Sequence, residues 1–265
     1  MIFPFLVPAG WYCGNVISVC IPVHIVHPSQ LDFLKEAIHS VLQQKGVYFE
    51  ICISDDTQDS RVAEISEFYS EQGIEIRYVK AEFGIGLAAN INSSISMARG
   101  DLVKILFQDD YLHNPKVLRN NARRLKHSRA KWLVTGTIHL NQVNGSFDKP
   151  LIPRINQHFL DGKNSFSSPS VVMFKRRYYL PFDTRLNYLV DCEWYVRMLH
   201  NYGKPTIKKS IDIVNRLHEN QATHEFKDLL SREISLAKQA HSTQVSSKEE
   251  CLCVTKSVNL TQIES

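Results

Sequence analysis

Apolar residues along this chain keep changing their spacing. Continuous apolar runs rich in β-branched residues occur at Ile17 to Val23, Phe49 to Ile53, Ile74 to Val79, Leu102 to Phe107 and Lys131 to Leu140. They are short enough to be buried strands. Between them the apolar positions step by three or four. Leu31, Leu34, Ile38, Val41 and Leu42 form one such helical face, stopped by Gly46. Further helices are predicted over Val62 to Tyr69, over Gly86 to Ala98, where Gly100 closes the segment, and from Pro115 onward. The second half reads less regularly. Ser170 to Phe174 and Ile207 to Leu217 are strand-like, Asp191 to Leu199 is helical, and Phe226 to Ala240 forms an amphipathic helix before a polar tail.

Strands and helices in strict alternation predict an α/β fold with a mostly parallel, Rossmann-like sheet flanked by helices. Ligands of such sheets bind beyond the carboxyl ends of the strands. Two acidic pairs fall there, Asp55-Asp56 and Asp109-Asp110. Unpaired carboxylate clusters on one edge repel each other unless a cation joins them. The polar stretch from Asn141 to Phe166, with Gly145, Pro150, Pro153 and Gly162, reads as a long functional loop.

Composition narrows the options. With 265 residues, 43% apolar and 22% charged, the chain can bury a sizeable core. A formal charge of +4 without a basic stripe argues against nucleic acid as a partner. The densest basic stretch, Arg123-Arg124 with Lys126 and Arg129, reads as a solvated helix face, with a membrane-surface contact as the minority reading. Six cysteines without framework or zinc spacing fit a reducing compartment. The apolar start, Met1 to Tyr12, lacks a basic leader region and is too short to span a bilayer. A cytoplasmic protein is expected, with peripheral contact at the inner membrane face as the alternative.

Four motifs carry candidate chemistry. Phe107-Gln108-Asp109-Asp110 follows an apolar strand, where adjacent carboxylates can ligate magnesium or manganese together with phosphate oxygens. An Asp-rich turn before a helix explains it equally well. Ser54-Asp55-Asp56 could accept the imide of a base or ribose hydroxyls, or simply cap a turn. Gly84-x-Gly86-x-x-Ala89 has the form of a dinucleotide fingerprint, which keeps a nicotinamide-dependent oxidoreductase open. It follows the third strand rather than the first, and Glu82 would set negative charge near a pyrophosphate. His218-Glu219 lacks the second histidine of a zinc protease. A histidine just after a strand can instead meet a phosphate or complete a metal shell.

In order and spacing, these segments resemble the family 2 glycosyltransferases of the GT-A fold, from about Asn15 to His224. Val16-Ile17-Ser18-Val19-Cys20-Ile21-Pro22 looks like the family's first strand. Ser54-Asp55-Asp56 matches its nucleotide motif, with Thr57-Gln58 in place of the usual Gly-Ser. Gly86 to Asn92 and Ala98-Arg99-Gly100-Asp101 match the helix and turn leading to the metal motif. Gln108-Asp109-Asp110 stands at the D-x-D position. Asp191 to Arg197 looks like the acceptor motif, with Val190 where the family has glutamate.

The resemblance implies an inverting transferase. It would take a nucleotide-diphospho-sugar donor, often UDP-linked, and a glycan or lipid-linked sugar acceptor, in surface polysaccharide or lipopolysaccharide synthesis. Residues 15–140 would form the nucleotide-sugar half and 141–224 the acceptor side, with 225–265 as a helix and tail. Pro22, Asp55, Asp56 and Asn90 would serve the nucleotide, and Asp109 the sugar or ribose. Asp110 would hold Mn2+ or Mg2+, with His218 near the diphosphate. Asp191 would be the base, favoured in its ionised form by a helix N-terminus, with Glu193 as its rival and Arg197 on the acceptor side. The departures at positions 57, 58 and 108 also leave open a nucleotide-sugar or glycan binder without turnover.

Overall fold

The computed structural model describes residues 16–219 and 227–241. Apolar β-branched runs become the strands of one mixed sheet: β1 (Ile17–Val23), β2 (Phe49–Asp55), β3 (Ile76–Lys80), β4 (Leu102–Ile105), β5 (Tyr111–Leu112), β6 (Trp132–Asn141), β7 (Val172–Lys175) and β8 (Thr206–Leu217). Their order is β3-β2-β1-β4-β7-β6-β8-β5. The first four are mutually parallel. β7 is antiparallel to both β4 and β6, while β6 and β8 run parallel. The sheet is therefore mostly parallel, as expected, and β7 and β5 are the strands that run against the rest.

Helices α1 (Ser29–Leu42), α2 (Arg61–Glu71), α3 (Leu87–Ser96) and α4 (Val117–Lys126) connect the early strands. α5 (Val190–Tyr202) precedes β8, and α6 covers 230–241. The spacing of buried Leu34, Ile38 and Val41 on α1, and of Ala88, Ile91 and Ile95 on α3, lays one apolar stripe of each helix on the core. β1 is buried along its whole length, as expected of a central parallel strand. Its register with β2 and β3 brings Val23, Asp55 and Lys80 level at one edge.

The later half is held differently. Trp132 on β6 packs edge-on to Trp194 of α5, with ring centroids 6.0 Å apart. Phe166 and Phe159 join Tyr195 at 5.1 and 5.8 Å. This aromatic cluster fixes α5 and the irregular segment before β7 to the sheet. The start of the long loop folds back on β6 through bridges Thr137–Leu151 and Leu140–Phe147. Among the described residues no helix is long and apolar enough to cross a membrane.

Candidate active site

The acidic residues at the strand ends are not free. The Asp55 carboxylate is fully buried. It accepts from the Thr57 amide at 2.8 Å, the Tyr78 hydroxyl at 2.7 Å and Lys80 Nζ at 2.9 Å. Lys80 also donates to the Thr57 and Asp59 carbonyls, so the turn after β2 closes around one ammonium. Asp56 Oδ1 accepts from the amides of Gly84 and Ile85 at 2.6 and 3.3 Å. Gly84 and Gly86 both have φ of +82°, and Gly86 is the N-cap of α3. That left-handed backbone is why glycine stands there. Two amides of this glycine turn, those of Gly84 and Ile85, are thus already satisfied by a carboxylate.

Two sequence expectations change here. The two acidic pairs are not both unpaired, because Lys80 and backbone amides satisfy the first. Asp55, expected at the nucleotide, is committed to holding its own turn. Pro22 is likewise buried within β1, opposite Ser54. Asn90 donates to the Val23 carbonyl at 2.9 Å, and its buried Oδ1 has no hydrogen-bond partner.

Gln108 explains its own departure from an acidic residue. Its Oε1 accepts from the His24 amide at 2.7 Å, and its Nε2 donates to the His24 carbonyl at 2.8 Å. A carboxylate has no hydrogen to donate and could make only the first bond. Gln108 thus ties the end of β4 to the end of β1.

A cavity of about 700 Å³ opens beside this edge. Asp109, Asp110, Asn164, Ser168, Asp191 and His218 all line it. Asp109 Oδ2 lies 3.1 Å from His218 Nε2, and Phe33 of α1 packs against that imidazole with ring centroids 5.3 Å apart. Asp110 is 3% exposed and accepts from Ser168 Oγ at 3.0 Å. Burial, and then the adjacent Asp109 charge, push its carboxyl up to about 7. Beneath it, Lys104 is fully buried on β4 and donates to the Ser170 carbonyl. Burial pulls its ammonium down to about 7, against the nearby Asp212 and Asp110 charges.

Asp191, which lines the same cavity, stands in the first turn of α5, half-buried. It is not the N-cap, which is Leu189. Burial pushes its carboxyl up to about 6. The helix N-terminus and its amides pull the other way without prevailing, which reverses the expected lowering. Asn164 Nδ2 donates to Asp191 Oδ2 at 2.5 Å. The start of α5 is capped from outside the helix. Glu233 of α6, 4% exposed, accepts from the amides of Asn187, Tyr188 and Leu189 at 2.8, 3.0 and 2.8 Å.

Glu193 and Arg197, expected on the acceptor side, close on each other instead. Their two hydrogen bonds measure 2.6 and 2.8 Å, and His241 approaches Glu193 to 3.3 Å. Neither residue lines the cavity. Their (i, i+4) spacing on one helix brings the pair together. The structure thus gathers Asp109, Asp110, Asp191 and His218 around one space and leaves Pro22, Asp55, Asp56 and Asn90 outside its wall.

With this arrangement in view, the profile of glycosyl transferase family 2 matches residues 18–180. The chain belongs to that family. Among its curated relatives, an uncharacterized Mycobacterium tuberculosis protein, MT1568, is 28% identical over 205 residues, covering 69% of this chain and 62% of the relative. An uncharacterized glycosyltransferase of Methanocaldococcus jannaschii, MJ1057, is 25% identical over 176 residues, covering 64% of this chain and 60% of the relative. The chain spans about three fifths of the length of these relatives. The crystal structure of S. aureus TarS 1-349 in complex with UDP-GlcNAc superposes with a TM-score of 0.65 at 15% identity, covering 83% of this chain and 66% of that one. That likeness carries the GT-A fold. Membership in the family argues against the oxidoreductase reading.

Sequence reasoning missed Asn164, Ser168, Asn215, Lys104 and Glu233. Glu233 alone left a signal: its spacing from Leu230 and Ala237 puts a carboxylate on the apolar face of α6.

Proposed function

We propose that this glycosyltransferase moves a sugar from a UDP-linked donor to a hydroxyl of a glycan or lipid-linked acceptor, in one displacement with inversion. The observation that carries this reading is that the Asp109-Asp110 pair and Asp191 line a single cavity. A displacement at the anomeric carbon needs its leaving diphosphate and its base on opposite faces. Asp191 is the base. A carboxylate with a pKa near 6 is ionised at neutral pH and more basic than an ordinary aspartate, which suits removal of a hydroxyl proton as the bond forms.

The diphosphate falls to the other side. Among the described residues, no three His, Cys, Asp or Glu side chains converge into an all-protein metal cage. Magnesium and manganese need only one or two carboxylates when diphosphate oxygens complete the shell, and Asp109-Asp110 meets that need. Asp110 would hold the ion, with Asp109 directed at the sugar or ribose and steadied by His218. When bound, such an ion neutralises charge on the leaving diphosphate. On the nucleoside side, Asp56 sets the Gly84-Ile85 turn, and Asn90 Oδ1 offers an open acceptor near the end of β1.

Titration with UDP, with and without manganese, tests this reading. UDP should raise the melting temperature, and at ~100 times its dissociation constant it adds about 2.7 kcal/mol of stability. Manganese should strengthen the effect in the native protein and leave it unchanged in Asp110→Asn. The reading fails if UDP gives no shift, or if Asp110→Asn keeps the full manganese dependence.

A further inference from the structure

We propose that Asn164 is the positioning residue for Asp191, at one end of a short strap, Asn164 to Ser168, whose other end holds Asp110. This rests on the reading of Asp191 as the base. The Asn164 amide cannot turn over. Its Oδ1 accepts from the Phe166 and Ser167 amides at 2.9 and 3.0 Å, which leaves Nδ2 to face Asp191 Oδ2 at 2.5 Å and the Ser167 carbonyl at 3.0 Å. The donor that the base meets is thus fixed by the backbone that follows it.

Between its ends the strap is held against the rest of the fold. Ser167 has φ of +85°, the one non-glycine residue in the left-handed region among the described residues. Such backbone persists only where its surroundings over-determine it, and here they do. Its carbonyl also accepts from the Tyr195 hydroxyl at 2.9 Å, and its Oγ donates to Asn215 Oδ1 at 3.1 Å. Asn215 Nδ2 donates to Ser168 Oγ at 2.9 Å, and Ser168 Oγ donates to Asp110 at 3.0 Å. Phe166, fully buried in the aromatic cluster, anchors the middle. A continuous path of hydrogen bonds and strap backbone therefore joins Asp191 to Asp110.

The other close partner of Asp191 is Cys192, whose amide donates to Oδ1 at 2.7 Å and so leaves Oδ2 to Asn164. Cys192 and Tyr195 on the same helix are pushed further toward their neutral forms by burial. Asp109, Asp110, His139, His218 and Glu219 line the same cavity.

The test uses Asn164→Asp, which keeps the two accepted backbone bonds and replaces the donor with an oxygen facing Asp191. Carbon-13 NMR titration of the Asp191 carboxyl should show its pKa raised by about one unit or more, as two carboxylates in contact require. The acid limb of turnover should move up equally, while UDP affinity in manganese stays within about twofold. Asn164→Ala should shift the Asp191 titration less than Asn164→Asp does, provided that it folds. An unchanged Asp191 titration in folded Asn164→Asp overturns the proposal, whatever the activity. If that titration shifts but Asp191→Asn still turns over, the base assignment fails and the positioning contact stands.

Discussion

The two sides of the proposed site are built on different principles. On the donor side, at the end of β2, the partners of Asp55 and Asp56 are mostly backbone amides or groups on a neighbouring strand. Asp55 and Lys80 are level in the sheet register, and Asp56 meets amides of the next βα turn. On the acceptor side no regular element presents the working group alone. Asp191 depends on an asparagine from an irregular segment and on a helix start capped by a distant glutamate. A strand end sets a side chain through the sheet ladder, whereas the acceptor wall must be assembled from long-range side-chain bonds. Loss of one contact should therefore cost stability on the donor side and rate on the acceptor side.

The sharpest way to break that comparison is at Asp191. In Asp191→Asn, turnover should fall ~10²–10⁴-fold, the usual worth of a general base, with UDP affinity unchanged. Steady-state kinetics beside a UDP titration would show it, and equal losses in both would erase the distinction between the walls.

Asp55→Ala is the donor-side counterpart. It leaves Lys80, Tyr78 and the Thr57 amide without their shared acceptor and should cost about 3 kcal/mol, less than a wholly buried pair because Lys80 is partly exposed. A urea midpoint at the native value would refute this.

The pH profile sharpens the comparison further. With the Asp191 carboxyl at about 6, kcat/KM should fall tenfold per unit below that pH. The sign for stability runs the other way. An acid whose pKa is raised on folding favours the folded state while protonated, and that contribution is lost as pH rises through about 6. Asp191→Asn should therefore gain stability relative to the native protein above pH 6 and match it near pH 4.

The smallest effect is expected at Gln108→Ala. It removes two bonds to the exposed His24 backbone and should cost about 1 kcal/mol. Thermal unfolding would register this as a shift of a few degrees.

How much could be read beforehand follows the same division. The first four strands, the helices between them and both acidic pairs were legible, because apolar periodicity and strand ends are local properties. Asp191 was singled out by the acceptor-motif resemblance and by its place at the start of a helical pattern. What Asp55 does was hidden, since its partners Tyr78 and Lys80 lie on another strand and only register brings them level. The insertion of antiparallel β7 was hidden too, because strand order is not a local property. Asn164 looked like any polar loop residue, and its meaning comes from Asp191, which lies 27 positions away.

One consequence concerns the order in which the chain is made. The Glu233 carboxylate that caps α5 comes from the last described helix, beyond every strand of the sheet. A chain emerging from the ribosome would complete its sheet and its acidic strand ends first, and would receive the cap on its acceptor wall only afterwards. Nascent protein lacking α6 should thus hold a finished sheet edge while the start of α5 still awaits its cap.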